Sequence, residues 1–317
     1  MPIRGVRPIS NSVLITHQLY STCMEALEAR FDTCRLYEAD DRDAFLAEKG
    51  AGIRAIAGSN VNAAMMDKMP NLELIANFGV GYDSVDVEAA KARGIRVTNT
   101  PDVLNDAVAE LAIGLMVAMA RKIPQTDRFV REGKWLDGAY PLTWELNGKT
   151  LGILGLGRIG KEIAVRAQAM KMRVVYHGRN KQDNQPFIYY DDLTDMARDA
   201  DWLMVIAPGG AQTRNIVSRQ VLEALGPQGA VVNLARGTLI DEVAMLELLE
   251  SGELGGAALD VFAQEPKMDS RFFALDNVVL SPHQGSATDQ TRHQMGMLVV
   301  KNIEAHFAGK LLLTPVV

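Results

Sequence analysis

The sequence is short of cysteine, of basic excess and of long apolar runs, and each shortage removes a class of function. Only two cysteines, Cys23 and Cys34, occur in 317 residues, too few for a disulfide framework and suited to a reducing compartment. The formal net charge is −6, so no general attraction to nucleic acid or anionic lipid is expected. The most apolar run, 111–120, falls far short of the roughly twenty residues that span a bilayer and reads as a buried helix. The opening stretch "MPIRGVRPISNSVLITHQ" lacks the apolar core of a signal peptide. The five histidines are scattered and none sits in H-E-x-x-H, so no metal is expected. The expectation is a cytoplasmic globular protein that binds neither nucleic acid nor membrane.

What is present is a long alternation of short β-rich runs with helical stretches, the pattern of parallel α/β architecture. At 317 residues the chain exceeds one comfortable core, so two domains are expected. The first third offers strands at "SVLITH", "CRLYEA", "IRAIAG", "ELIANFG" and "IRVTN". Asp102 is expected to cap a long helix, "VLNDAVAELAIGLMVAMARK", followed by a less regular segment, 123–147, with Trp135, Tyr140 and Trp144. "TLGILG" opens a second series, with strands near "RVVYH", "WLMVIAP", "AVVNLA", "GAALDV" and "VVLSPH". A last helix, 288–309, lies beyond that series and is expected to cross back onto the first domain.

The second series begins with a phosphate cradle. "GILGLGRIG" sets Gly155, Gly157 and Gly160 in G-x-G-x-x-G register, with an apolar strand before and an amphipathic helix after. Gly155 permits the tight turn, Gly157 lets backbone approach a pyrophosphate, and Gly160 lets helix pack on strand. The phosphates then meet free N–H groups at the helix N-terminus. That context makes dinucleotide binding the expected function of the segment. The next strand normally ends in an acid that grips the ribose hydroxyls. Here it ends "YHGRNK". A carboxylate would repel a 2′-phosphate, whereas the Arg179 guanidinium can bind one bidentately. Gly178 leaves room for it and Lys181 adds a second charge, so NADPH is the expected cofactor and NADH a weaker one.

Ligands of doubly wound sheets bind beyond the carboxyl ends of strands. Those ends carry Arg236 in "VVNLARG", Asp260 in "GAALDV" and His283 in "VVLSPHQG", with Glu265 in the loop "VFAQEP". Each alone reads as a surface or loop residue. Together they supply a cation for a carboxylate, a proton donor and an acid to orient that donor, the set that reduction of a 2-keto acid needs.

The stretches "NFGVGYDSVD", "RGIRVTNTPDVLNDAVAELA", "GLGRIG", "NLARGTLIDE", "GGAALDVFAQEP" and "SPHQGSAT" resemble the D-isomer-specific 2-hydroxyacid dehydrogenases, in order and spacing from about residue 50 to 290. "YHGRN" is similar to the NADPH-using glyoxylate/hydroxypyruvate reductases within them. The resemblance implies two doubly wound parallel-sheet domains, a Rossmann cofactor domain (101–287) inserted into a flavodoxin-like substrate domain (1–100 and 288–317). It implies backbone N–H groups of Val80 and Gly81 on the substrate carboxylate, Arg236 clamping carboxylate and keto oxygen, and His283 as proton donor oriented by Glu265. It also implies that Asp260 meets the nicotinamide carboxamide. The dinucleotide would be lined by Gly155, Leu156, Gly157, Arg158, Ile159, Gly160, Gly178, Arg179 and Asn180, with Pro208, Leu234 and Gly285 near its nicotinamide end. "APGGAQTRN" departs from the commoner Pro-Leu-Thr-Pro form of its loop. The resemblance further implies a homodimer, with helix 102–121 at the two-fold and segment 123–147 as an arm whose Trp135 or Trp144 approaches the partner's pocket. Two other readings stay open here: an NAD-linked phosphoglycerate-type dehydrogenase, opposed by Arg179, and a non-catalytic dinucleotide-sensing co-repressor-like protein.

Overall fold

The computed structural model describes residues 12–317, which form two compact units, one of residues up to Leu104 with Thr288–Val317 and one of Asn105–Ala287. In the first, β1 (Ser12–Ile15), β2 (Asp32–Arg35), β3 (Ile53–Gly58), β4 (Leu74–Asn77) and β5 (Arg96–Thr98) form a parallel sheet in the order β2-β1-β3-β4-β5. In the second, β6 (Thr150–Leu154), β7 (Arg173–His177), β8 (Ile188–Tyr190), β9 (Trp202–Val205), β10 (Ala230–Asn233), β11 (Gly256–Leu259) and β12 (Val278–Leu280) are also all parallel, in the order β12-β11-β10-β9-β6-β7-β8. Both orders reverse direction once, between β1 and β3 and between β6 and β9, and such switch points open a crevice at the carboxyl edge. The α/β fold with two doubly wound parallel sheets is therefore the one the sequence pattern predicts.

The strands are continuous apolar runs because helices cover both faces of each sheet. Along β1, β3 and β4 the side chains alternate. Val13, Ile15, Ala55, Ala57, Leu74 and Ala76 join one buried cluster, and Leu14, Ile56 and Ile75 the opposite one. The first cluster is completed by Val299, Val300 and Ile303 of helix Asp289–Phe307. That helix starts where the Thr288 hydroxyl accepts the Thr291 N–H at 3.2 Å, an N-cap. The helix belongs to the first unit. Aspartates start other helices in the same way: Asp41, Asp192 and Asp241 each accept a first-turn N–H.

Three local expectations need correction. The long helix runs Asn105–Ala120, starting two residues later than expected; Asp102, with φ +70°, sits in the turn before it. The segment 123–147 opens with a regular helix, Ile123–Arg131, carrying Pro in its first turn, where its missing N–H costs nothing. The second strand is Asp32–Arg35, and Leu36–Glu38, expected to extend it, coils into a 3₁₀ turn. Cys23 and Cys34 are free thiols, and burial pushes the Cys23 thiol up to about 12. Among the described residues no helix is long and apolar enough to cross a membrane, and no cluster of acids, histidines and cysteines is arranged to hold a metal.

Candidate active site

The glycine loop joins β6 to helix Arg158–Ala169. Gly155 has φ +101°, and a Cβ there would lie 2.7 Å from the Ala207 backbone, so the turn and the close approach of the chain after β9 both demand glycine. A Cβ on Gly160 would lie 2.3 Å from the Gly155 carbonyl oxygen, which sets how tightly helix meets strand. Gly157 differs: it is exposed and nothing lies within 4 Å of its Cβ position, so the chain's own packing does not demand glycine there. It is also the helix N-cap, and no side chain caps the first turn. Free N–H groups there suit phosphate. Arg158 is exposed, Ile159 half-buried, and the Leu156 side chain is buried.

The strand β7 ends at His177, and the loop that follows is built by hydrogen bonds rather than by packing. The Tyr176 hydroxyl accepts the Gln182 N–H at 2.8 Å, and the Gln182 side-chain amide donates to the Leu156 carbonyl at 2.7 Å. The Tyr189 hydroxyl donates to the Gly178 carbonyl at 3.2 Å, while its ring stacks on His177. Gln182 thus ties this loop to the glycine loop. Open space surrounds Gly178. Arg179, Asn180 and Lys181 are exposed, and neither cation has an ion pair among the described residues.

At the other side of the switch point, β10, β11 and β12 deliver the chemistry. Asn233, at the end of β10, is buried; its Oδ1 accepts the Ala235 N–H and its Nδ2 donates to the Arg236 carbonyl, both at 3.0 Å. This bracket folds Leu234–Arg236 outward from the sheet. Asp260, at the end of β11, is 1% exposed. Its carboxylate accepts from Ser281 Oγ (2.6 Å), Gln284 N–H (2.6 Å) and Gly285 N–H (2.8 Å), and its carbonyl accepts the His283 N–H at 2.9 Å. Those bonds hold His283 at φ +55°, a conformation that a histidine keeps only when its surroundings impose it. Asp260 is thus the internal brace of the histidine loop.

His283 Nδ1 lies 2.7 Å from Glu265 Oε2, and Glu265 Oε1 accepts the Phe262 N–H at 3.0 Å. Burial pushes the Glu265 carboxyl up. The hydrogen bonds from His283 and Phe262, with the charges of His283 and Arg236, outweigh it and leave the group below its ordinary value. Glu265 is therefore an anion at neutral pH, so Nδ1 carries the proton of that bond and Nε2 faces outward. Arg236 belongs to the same electrostatic neighbourhood. The remaining residues scatter: Pro208 is exposed after β9, its carbonyl accepting from Thr213 Oγ1 at 2.8 Å, and Leu234 is buried.

In the first unit, Val80 and Gly81 follow β4 in a loop braced by its carbonyls. Asn77 Nδ2 donates to Gly79 and Gly81, Asn99 Nδ2 to Val80, and the Thr100 N–H to Gly79. No acceptor among the described residues takes the Val80 or Gly81 N–H. The four bracing residues Asn77, Asn99, Asn233 and Ser281 escaped the sequence reading. Their signal was an asparagine closing an apolar strand, as in "LIAN" and "AVVN".

The arm divides its aromatics. Trp144 packs edge-on against Trp202 at 6.1 Å within its own unit, and Tyr140 against Phe129 at 5.2 Å. Trp135 is 67% exposed, and Ile123, Val130, Leu136 and Leu142 of the same segment are exposed as well.

Comparison with known proteins meets this geometry. Residues 113–285 match the family model described as D-isomer specific 2-hydroxyacid dehydrogenase, NAD binding domain. The chain is 45% identical over 311 residues to glyoxylate/hydroxypyruvate reductase A of Arabidopsis thaliana, covering 97% of this chain and 99% of that one. It is 45% identical over 301 residues to hydroxyphenylpyruvate reductase of Plectranthus scutellarioides, covering 94% and 96%. Among solved structures, the NADPH-dependent glyoxylate/hydroxypyruvate reductase of Sinorhizobium meliloti, in complex with NADP and malonate, superposes with a TM-score of 0.91 at 41% identity, covering 97% of each chain. With a matching dinucleotide-binding domain and near-full-length relatives, the chain belongs to the D-isomer-specific 2-hydroxyacid dehydrogenases.

Proposed function

We propose that the protein is an NADPH-dependent reductase of small 2-keto acids of the glyoxylate/hydroxypyruvate type, yielding the D-2-hydroxy acid. The observation that carries this is the Glu265–His283 pair at 2.7 Å with Arg236 in its field, at the carboxyl edge of a sheet with a dinucleotide cradle. The relatives named above act on glyoxylate, hydroxypyruvate and an aryl-pyruvate by name, which supports the substrate class. Residues 105–287 are the cofactor domain and the remainder the substrate domain.

NADPH supplies the hydride when bound. Gly155, Gly157 and Gly160 would cradle its pyrophosphate, with backbone of Leu156, Arg158 and Ile159 along it. Gly178, Arg179 and Asn180 would take the 2′-phosphate, and the lack of an ion pair on Arg179 and Lys181 among the described residues supports that role. Pro208, Leu234, Asp260 and Gly285 would meet the nicotinamide end.

Arg236 holds the substrate carboxylate together with the Val80 and Gly81 N–H groups, and polarises the keto oxygen. His283 Nε2 gives its proton to that oxygen as the carbon gains hydride, so the carbonyl becomes a hydroxyl. Glu265 steadies the imidazolium through Nδ1 and keeps Nε2 aimed outward. The exposed apolar arm, with half-exposed Leu111, Ile113 and Val117 on helix Asn105–Ala120, supports a homodimer. Trp135 is then the aromatic that reaches the partner, since Trp144 is committed to Trp202.

The test is a rate panel of glyoxylate, hydroxypyruvate, pyruvate and phenylpyruvate with NADPH and NADH. Fast reduction of the smaller acids with NADPH is expected. Turnover of none would favour a dinucleotide sensor, and equal rates with the two cofactors would remove Arg179 from cofactor choice.

A further inference from the structure

Two half-buried arginines in the first unit stack on phenylalanines, and only one has a counter-ion. Arg54 lies 5.1 Å from the Phe307 ring centroid and pairs bidentately with Glu73, at 2.9 and 2.8 Å. Arg292 lies 5.6 Å from the Phe78 ring centroid, and no carboxylate among the described residues pairs with it. Burial lowers the Arg292 guanidinium from its ordinary value. Taking a cation out of water is costly, and a carboxylate partner normally offsets the cost. The cation–π contact offsets part of it. The remainder is a standing preference for an oxygen-bearing ligand at this position.

Its place in the fold says which ligand. Phe78 immediately precedes the Gly79–Gly81 loop. That ring is also met by His17, edge-on at 6.2 Å. Burial and the Arg292 charge both lower His17, so it stays a neutral imidazole rather than a second cation. Thr16 Oγ1 fixes it, sitting 3.1 Å from His17 Nδ1 while donating to the Ser59 carbonyl at 3.0 Å. These residues follow β1, β3 and β4 at the carboxyl edge of the sheet, where a doubly wound fold binds ligands.

We infer that Arg292 is a specificity-determining residue, which receives the oxygen-bearing tail of the 2-keto acid, a hydroxyl or carboxylate on C3 or beyond. This rests on the assignment of the Val80 and Gly81 N–H groups to the substrate's C1 carboxylate. A carboxylate held on that loop directs the far end of a short keto acid along the same edge, and a guanidinium there rewards oxygen and penalises a methyl group. A buried polar group left without its partner is what gives such sites their discrimination.

The experiment compares kcat/KM for hydroxypyruvate and pyruvate, which differ by one hydroxyl, in wild type, Arg292→Met and Arg292→Lys. Methionine keeps most of the stem over Phe78, and lysine keeps the charge without the fork. The hydroxypyruvate-to-pyruvate ratio is expected to fall about 10–100-fold in Arg292→Met, the range for a hydrogen bond to a charged group, mainly through KM. Arg292→Lys should recover part of it. An unchanged ratio in a folded, active Arg292→Met, or equal losses on both acids, overturns the specificity role. Should Arg292→Met not fold, the lysine variant decides, and a wild-type ratio there overturns the role as well. A wild-type chain that reduces neither acid overturns the reductase reading and this inference with it.

Discussion

Gly157 and Gly160 are three residues apart in one motif, yet their neighbourhoods differ so much that the same substitution should fail in two different ways. An alanine Cβ at position 160 would lie 2.3 Å from the Gly155 carbonyl oxygen, more than an ångström inside contact, and the obstacle is backbone that cannot swing aside. Overpacking of this kind costs about 1–3 kcal/mol, against which alanine's better helix propensity recovers at most about 1 kcal/mol. For a unit of this size the melting temperature should drop by roughly 2–4 °C per kcal/mol. At position 157 an alanine Cβ meets nothing within 4 Å and the φ of −82° is ordinary, so only glycine's preference over alanine at an N-cap is lost, up to about 1 kcal/mol. That Cβ stands where the pyrophosphate must approach. Losing one or two hydrogen bonds to a charged group weakens binding by about 1.5–3 kcal/mol each, at least tenfold in Kd. Thermal melting without cofactor, paired with fluorescence titration of NADPH, reads both quantities. A Gly157→Ala protein that melts early while binding NADPH normally would refute the assignment of that space to the cofactor.

Arg179→Ala should weaken NADPH by about 1.5–3 kcal/mol, the range for a charged hydrogen bond, and leave NADH nearly untouched; equal losses in Kd for both would detach the arginine from the 2′-phosphate. His283→Gln should lower kcat about 10²–10⁴-fold with cofactor affinity preserved, as steady-state kinetics and titration together can tell. Glu265→Gln should lower kcat with NADPH affinity preserved, because the His283 Nδ1–H loses its anionic acceptor. Glu265 is depressed when folded, so its stabilisation is present above its unfolded value near 4.3 and lost as pH falls through the lower folded value. The Glu265→Gln stability deficit seen in denaturant melts at neutral pH should therefore close below about pH 4. Light scattering at micromolar concentration should give a dimer mass that Trp135→Asp together with Leu136→Asp reduces; an unaltered mass would take the arm out of the interface.

Motifs whose logic is local were readable in the sequence. Gly160 is glycine because of the Gly155 carbonyl five residues back, and Gly155 because of its positive φ and the backbone that follows the neighbouring strand β9; G-x-G-x-x-G encodes that. β8 was not foreseen because it is a three-residue edge strand with an exposed or half-exposed pattern, hemmed by Pro186 and two aspartates, too short to show a period. The helix after Asp102 starts only at Asn105, because the chain spends residues 102–104 in a bend and turn first. Trp144 and Trp135 are indistinguishable as letters in an arm. Only the nearness of Trp202, far along the chain, separates a packed ring from an exposed one. Asn233, and the bracing bonds of Asp260, were hidden for a related reason: their partners lie after them, in loops whose path the sequence does not give.

The division of the chain carries a consequence for how the protein is made. Residues 105–287 form a closed unit, every strand of whose sheet lies in one continuous stretch. The first unit does not. Its cluster of Val13, Ile15, Leu27, Ala55 and Leu74 is sealed by Val299, Val300, Ile303 and Leu312, and β5 finds a further partner only in the antiparallel bridge of Thr98 with Pro315 and the bonds between Val97 and 316–317. On the ribosome the usual N-terminal-first order is thus inverted. The five strands emerge first but wait, with one apolar face bare, until the inserted unit has folded and the last helix has cleared the exit. Contacts of such long sequence separation are slow to form, so nascent chains stalled just before residue 288 should bind chaperones more tightly than the released protein.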